Sequence, residues 1–469
     1  MTPEDKLQLD IRDFWRISDG LEAYAGLGPK ETFERLRAHP QDALCEVCDL
    51  SGSGNLMCTR DAMEAVFSLA QRHVDSLRVP ADYCVEDIAK QIRKHIVRAM
   101  VEEKADEPAL ARVLATAVAE SNASHIQRTF HFPCVLMKSK EPSQFRIGPI
   151  QFTRAPEFCQ SGAEAFERYV QNSRDGEQGS QWVEQFKSYV CDIGWVATVT
   201  IPPCSSASAN DRAERVITTA INLLRLFFGV PHARDMRLAQ APHGRVTYGQ
   251  HAIQTDGKLD LYMFRRVQEA LVGDDWHLVM DRFQPFWKRA AHLLGAAIQG
   301  TRSEIANRLI DALSWFGEAA FEIEPGTQIV KFVLALERLT TTEWLQTRSF
   351  CARMALLCHD DDHDFDRHFW DALTIYDARS DVVHGRISPT SAVFQKDLRL
   401  AHDVTRTALF RGLEIHCQLD DNGNMTALGD LHTFFERELA KKQHLLGRLY
   451  AELKIKNRMG RKGGISGVP

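Results

Sequence analysis

Apolar residues recur at three- and four-residue intervals through Asp61–Leu77 and Val85–Glu103, a spacing that predicts two amphipathic helices. Glu107–Glu120 is alanine-rich and predicts a third. Between residues 125 and 205 the pattern changes. Phe130–Met137, Phe145–Phe152 and Trp195–Ile201 are aromatic and β-branched runs bounded by Gly, Pro and Ser, which predict the strands of a small sheet. Helical stretches near Ala163–Asn172 and Gln181–Val190 interrupt them. Pro202-Pro203 is expected to end the last strand and residues 205–210 to form a polar loop. Asp211 is then the expected cap of a helix running through Ile217, Ile221, Leu224 and Phe228 to Gly229. Arg234–Phe264 mixes turn signals with β-like pieces. From about residue 270 the period is helical again. The expected helices are Trp276–Gln299, Glu304–Phe321, Gly326–Glu343, Phe350–Cys358, Phe365–His384, Thr390–Leu419 and Asp430–Leu453.

This pattern predicts a mainly α protein with a smaller α+β middle region and a C-terminal antiparallel helical bundle. The expected organisation is a helical region over 1–124, an α+β domain over 125–268, a helical domain over 269–420, and a C-terminal helix with a basic tail over 421–469. The tail carries Lys454, Lys456, Arg458, Arg461 and Lys462 among glycines and reads as a flexible end.

Composition narrows the class. A chain of 469 residues with 44% hydrophobic and 26% charged residues has the balance of an ordinary soluble protein. A net charge of −6 argues against an overall basic coat for nucleic acid but leaves room for a local basic groove. The polar, acidic first ten residues do not read as a secretory signal, and no apolar run approaches a membrane span. With 11 cysteines, an odd number, the economical expectation is free thiols in a reducing cytoplasm and no membrane partner.

Metal and cofactor signals are incomplete. Cys45, Cys48 and Cys58 could hold zinc with His39, His73 or Cys84 as fourth ligand, but no second CxxC or HxxxH pair follows. Residues 360–364 form an acidic cluster without the turn glycine or ligand spacing of a calcium loop. No complete phosphate-binding loop, nucleophile elbow or metalloprotease helix occurs, and no cofactor is expected.

The richest stretch is Ile375–Gly385, Ile-Tyr-Asp-Ala-Arg-Ser-Asp-Val-Val-His-Gly. Tyr376, Arg379, Val382 and Val383 keep helical spacing, Gly385 suits a helix end, and Pro389 stops continuation. Arg379 and His384 pair a permanently charged phosphate clamp with a group that moves protons near neutral pH. Five residues apart on a helix is about 140° apart at about 100° per residue, so the two share one face only if the last turn unwinds. A second copy of the helix is the other route to a complete site. Ser380 or Asp381 could orient the imidazole. Glu337, which interrupts an apolar helix, could pair with Arg379. The bare Arg-x4-His spacing recurs at Arg411–His416, and one residue longer at Arg353–His359 and Arg237–His243, so spacing alone decides little.

Residues 376–385 resemble the signature helix of the HEPN superfamily, in particular its Apea-like group. Ala312–Ala319 resembles that group's first helix and Ile329–Leu339 its second, in matching order. The resemblance covers about residues 300–420. It implies an all-helical, often dimeric domain, and in many members a metal-independent endoribonuclease whose Arg-x4-His motif maps here onto Arg379 and His384. Tyr376, Ser380, Asp381 and Glu337 are the supporting residues of that reading. The expected partners are RNA, a second copy of the chain and an unidentified activating trigger. The expected product is a 2′,3′-cyclic phosphate, in a regulated defence or growth-arrest effector. Some members lack activity and serve as binding or dimerisation modules, which is the alternative reading.

Overall fold

Side-chain caps start several of the helices, among them those that follow Thr2, Thr59, Asp175 and Ser303. The computed structural model describes residues 2–44, 46–48, 55–77, 80–101, 107–138, 141–172, 175–239, 247–255, 258–266, 272–300, 303–342, 347–359, 362–421 and 427–463. Within these the protein is mainly helical with a small antiparallel sheet, in the class expected. The chain divides into two compact units, Met1–Thr129 with Ile201–Ala213, and Phe130–Thr200 with Glu214–Pro469.

The first unit holds α1 (Pro3–Glu22), α2 (Pro29–Ala38), α3 (Arg60–Asp75), α4 (Val85–Val101) and α5 (Glu107–Ala123), with a short hairpin of β1 (Glu46–Cys48) and β2 (Asn55–Met57). Thr2 caps α1 in a reciprocal capping box with Asp5, and Thr59 caps α3 by accepting from the Ala62 N–H. The apolar stripes of α1, α3, α4 and α5 meet in one core containing Phe14, Ile17, Leu69, Ile88, Ile92 and Val113. Arg72 on α3 ties to Asp10 at 2.7 Å and to Asp13 at 2.6 Å on α1. Cys58 is buried; Cys45 lies outside the described residues, so the zinc expectation rests there.

The middle of the chain supplies β3 (Ile126–Val135), β4 (Gln144–Ile147), β5 (Ile150–Arg154), α6 (Ala155–Ser161), α7 (Ala163–Asn172), α8 (Gly176–Ile193), β6 (Trp195–Cys204), α9 (Ser206–Phe228), α10 (Val230–Ala233) and β7 (Arg237–Leu238). The sheet order is β4-β5-β6-β3-β7. Phe145–Phe152, expected as one strand, is a tight hairpin in which Phe145 pairs with Phe152 and Gly148 turns the chain at φ +53°. That turn brings the Gly148 backbone against Ala291, where a Cβ would lie 2.8 Å from the Ala291 Cα. Pro202 and Pro203 do not end β6, which continues to Cys204. The cap of α9 is Ser205, whose hydroxyl accepts from the Ser208 N–H; Asp211 lies inside the helix. A separate hairpin follows, β8 (Thr247–Thr255) with β9 (Lys258–Arg266).

The remaining helices are α11 (Trp276–Arg282), α12 (Gln284–Ile298), α13 (Glu304–Phe321), α14 (Pro325–Thr340), α15 (Thr347–Cys358), α16 (Asp362–Val383), α17 (Gln395–Asp421), α18 (Leu428–Ala440) and α19 (Gln443–Gly463). The stretch expected as one helix over 276–299 breaks before Gln284-Pro285, because Pro285 has no N–H to give and suits a new first turn. The 430–453 helix likewise divides at Lys441-Lys442. Its second half continues to Gly463, so the basic segment after Lys454 is helical for most of its length. Helices α13 to α17 close around Phe316, Phe332, Phe350, Phe365 and Phe369, all buried. No helix among the described residues is long and apolar enough to cross a membrane.

Candidate functional site

The motif helix is α16, and its end is closed by hydrogen bonds. The Gly385 N–H donates to the Val382 carbonyl at 3.0 Å and the Arg386 N–H to the Asp381 carbonyl at 2.8 Å. With Gly385 at φ +66° this is a Schellman closure, which needs the left-handed residue that glycine supplies at little cost. The Ile387 N–H also donates to the Asp381 carbonyl, at 3.2 Å. Across the bundle the Gly326 N–H, in the first turn of α14, donates to the Pro389 carbonyl at 2.8 Å. A Cβ at Gly326 would lie 2.7 Å from the Pro389 Cα and 2.9 Å from Val382 Cγ2, so the absence of a side chain lets α14 seat under the motif.

Arg379 projects from α16 toward α14. Its Nη2 lies 3.8 Å from Glu337 Oε1, with side chains 23% and 26% exposed. That is an ion pair beyond hydrogen-bond length. The Arg379 Nε is buried with no hydrogen-bond partner among the described residues. The guanidinium also stands 5.7 Å from the centre of the Tyr376 ring, which packs on Phe350 at 5.2 Å. Burial pushes the Glu337 carboxyl above its ordinary range, and the charge of Arg379 offsets this in part. The neighbouring Arg338 turns the other way, to Asp311 on α13 at 2.7 Å.

His384 is exposed just past the last helical residue, and its N–H donates to the Ser380 carbonyl at 3.0 Å. Asp381 does not orient its ring. The Asp381 carboxylate is taken by Arg386, with Nη1 to Oδ1 at 2.8 Å. Ser380 is half-buried on the last turn. The structure thus joins Arg379, Tyr376 and Glu337 into one cluster, while His384 stands apart at the open end. Arg386, two residues beyond His384, adds a second exposed cation that motif reasoning passed over.

The look-alike pairs fare differently. Arg353 is 1% exposed and donates to the Thr340 carbonyl and the Thr342 hydroxyl, each at 2.8 Å. It is a buried structural cation. His359 bonds the Leu356 carbonyl at 2.9 Å. Arg411 pairs with Glu414, and His416 is buried. Arg237 is buried, and His243 lies outside the described residues.

Among these pairs, as far as their residues are described, Arg379 and His384 alone combine a partly served guanidinium with a solvent-facing imidazole on one helix end. A guanidinium of this kind can grip a tetrahedral oxyanion, and an exposed imidazole can exchange a proton. No family model, curated protein or solved structure matches this chain.

Proposed function

We propose that the chain is a metal-independent endoribonuclease of HEPN type, acting through Arg379 and His384. The observation that carries this is the state of Arg379, a guanidinium 23% exposed and held only by one half-buried carboxylate at 3.8 Å among the described residues. A guanidinium held this loosely by one carboxylate still has terminal donors to offer a phosphate.

In the reaction His384 takes the proton of the substrate's 2′-hydroxyl. The 2′-oxygen forms a bond to the adjacent phosphorus, and the bond from phosphorus to the 5′-oxygen breaks. The leaving oxygen accepts a proton, giving a 2′,3′-cyclic phosphate and a 5′-hydroxyl. The nucleophile belongs to the RNA, so the chemistry needs no divalent metal. Arg379 holds the phosphate and stabilises charge as it builds on the equatorial oxygens. The roughly 140° between the two positions is overcome by pairing two copies, so that motif helices facing across a two-fold axis supply a base from one and an acid from the other. The remaining regions sense a trigger or restrain the nuclease, as expected of a defence or growth-arrest effector.

The test is incubation of the purified chain with mixed RNA in EDTA beside Arg379→Ala and His384→Ala, with growth arrest on overexpression as a second readout. Cleavage and arrest in the parent alone are the expected result. Activity that persists in both variants assigns the chemistry elsewhere.

A further inference from the structure

Away from the motif helix, Cys159 on α6 and Cys191 on α8 bring two thiols together at the surface. Phe158 and Val190, the residues just before each cysteine, pack in one small apolar cluster with Ala155, Val196 and Phe186. That packing fixes the two helices against each other and leaves the next residue of each on the adjoining rim. There the side chains of Cys159 and Cys191 lie close enough to interact. Cys191 is exposed and Cys159 partly so, and both are free thiols. Lys187, one turn before Cys191 on α8, places a cation beside the pair and is itself anchored to Glu184 at 2.9 Å.

We propose that Cys159 and Cys191 form a peroxide-responsive dithiol site that closes to an intramolecular disulfide between α6 and α8. The proposal is independent of the cleavage reading. Two neighbouring thiols on helices already packed together need little backbone movement to reach bonding distance. The roles divide by accessibility. Cys191 meets solvent and reacts first; burial pushes the Cys159 thiol up, so it keeps its proton and acts second. The Cys191 sulfur attacks one peroxide oxygen, the O–O bond breaks, and the thiol proton leaves with the other oxygen as water (or as the alcohol of an alkyl hydroperoxide). The Cys159 sulfur then displaces hydroxyl from the resulting sulfenic acid, and its proton leaves with that hydroxyl as water. The two thiols together supply the two electrons that reduce the peroxide.

The experiment uses the full chain, reduced and freed of reductant, exposed to graded hydrogen peroxide, then denatured, alkylated, digested and mapped by mass spectrometry. A cross-linked peptide joining Cys159 to Cys191, reversed by dithiothreitol, is expected to dominate before any other cysteine reacts. In Cys159→Ser, Cys191 loses its resolving partner and is expected to take a dimedone adduct. Alkylation of both cysteines while other thiols oxidise, or over-oxidation of Cys191 with Cys159 still alkylatable, overturns the proposal. So does the absence of the adduct in a Cys159→Ser chain whose circular dichroism matches the parent.

Discussion

Glu337 and Arg379 face each other across α14 and α16 at 3.8 Å, near enough to attract and too far to share a proton. Burial dominates the carboxyl and raises its proton affinity, so the native chain holds that proton more tightly than the unfolded chain does. The stability this residue contributes is therefore present below its ordinary value of 4.5 and is lost as pH rises through and beyond that value. Glu337→Gln removes the titration. Its stability is expected to equal or exceed that of the parent near neutrality, with the advantage shrinking toward pH 4. Urea denaturation of both chains across that range checks this, and a difference that stays constant with pH contradicts it.

Arg353 is the opposite kind of arginine. It is buried, stands 5.0 Å from the centre of the Phe435 ring, and holds the Thr340 carbonyl and Thr342 hydroxyl while its Nη2 reaches His432 and Glu436 on α18. Arg353→Ala leaves those acceptors unserved and opens space beside Phe435, so a loss of about 3 kcal/mol is expected. Chemical denaturation measures it. If the fold tolerates Arg353→Ala within about 0.5 kcal/mol, the buried network is not holding α18 to α15.

Gly326 and Gly385 separate two reasons for glycine near one site. At Gly385 φ is +66° and a Cβ would meet nothing within 4 Å, so Gly385→Ala is expected to cost about 1 kcal/mol through backbone strain alone, with Gly385→Asn milder. Equal losses for alanine and asparagine in thermal melts would contradict that account.

At Gly326 φ is not the constraint; the contacts with Pro389 and Val382 are. Gly326→Ala forces α14 and the 386–389 segment apart, at an expected 1–3 kcal/mol from overpacking. It is also expected to slow RNA cleavage several-fold although no reacting group changes. Measured stability and cleavage rate should fall together; unchanged values for both would mean the segment moves aside freely.

Some of this was legible in the sequence and some was not. The span of α13 followed from its apolar period, and α16 from its period and Gly385. The Glu337–Arg379 pairing was readable because a carboxylate inside an apolar stripe needs a cation. The break at Pro285 was written in the chain but hidden by the strong apolar period on both sides. The Phe145–Phe152 hairpin was missed because apolar residues on both arms mimic one continuous strand, although Gly148-Pro149 marked the turn. The division at Lys441-Lys442 had no local breaker in the sequence, and buried Leu439 and Leu446 stand on its two sides. Within the site, periodicity could not reveal that Arg386 would claim Asp381, or that Gly326 would meet Pro389, because both depend on how the chain folds back after the helix. The juxtaposition of Cys159 with Cys191 likewise arises from two helices separated in sequence by a third.

The Schellman closure at Gly385 has a mechanical corollary. With the amides of His384 through Ile387 already satisfied by Ser380, Asp381 and Val382, an incoming ligand finds no loose main chain to order. Only the two side-chain torsions of His384 must freeze, so docking there carries a small entropic penalty. The imidazole sits like a tool on a fixed post, with its working face toward solvent.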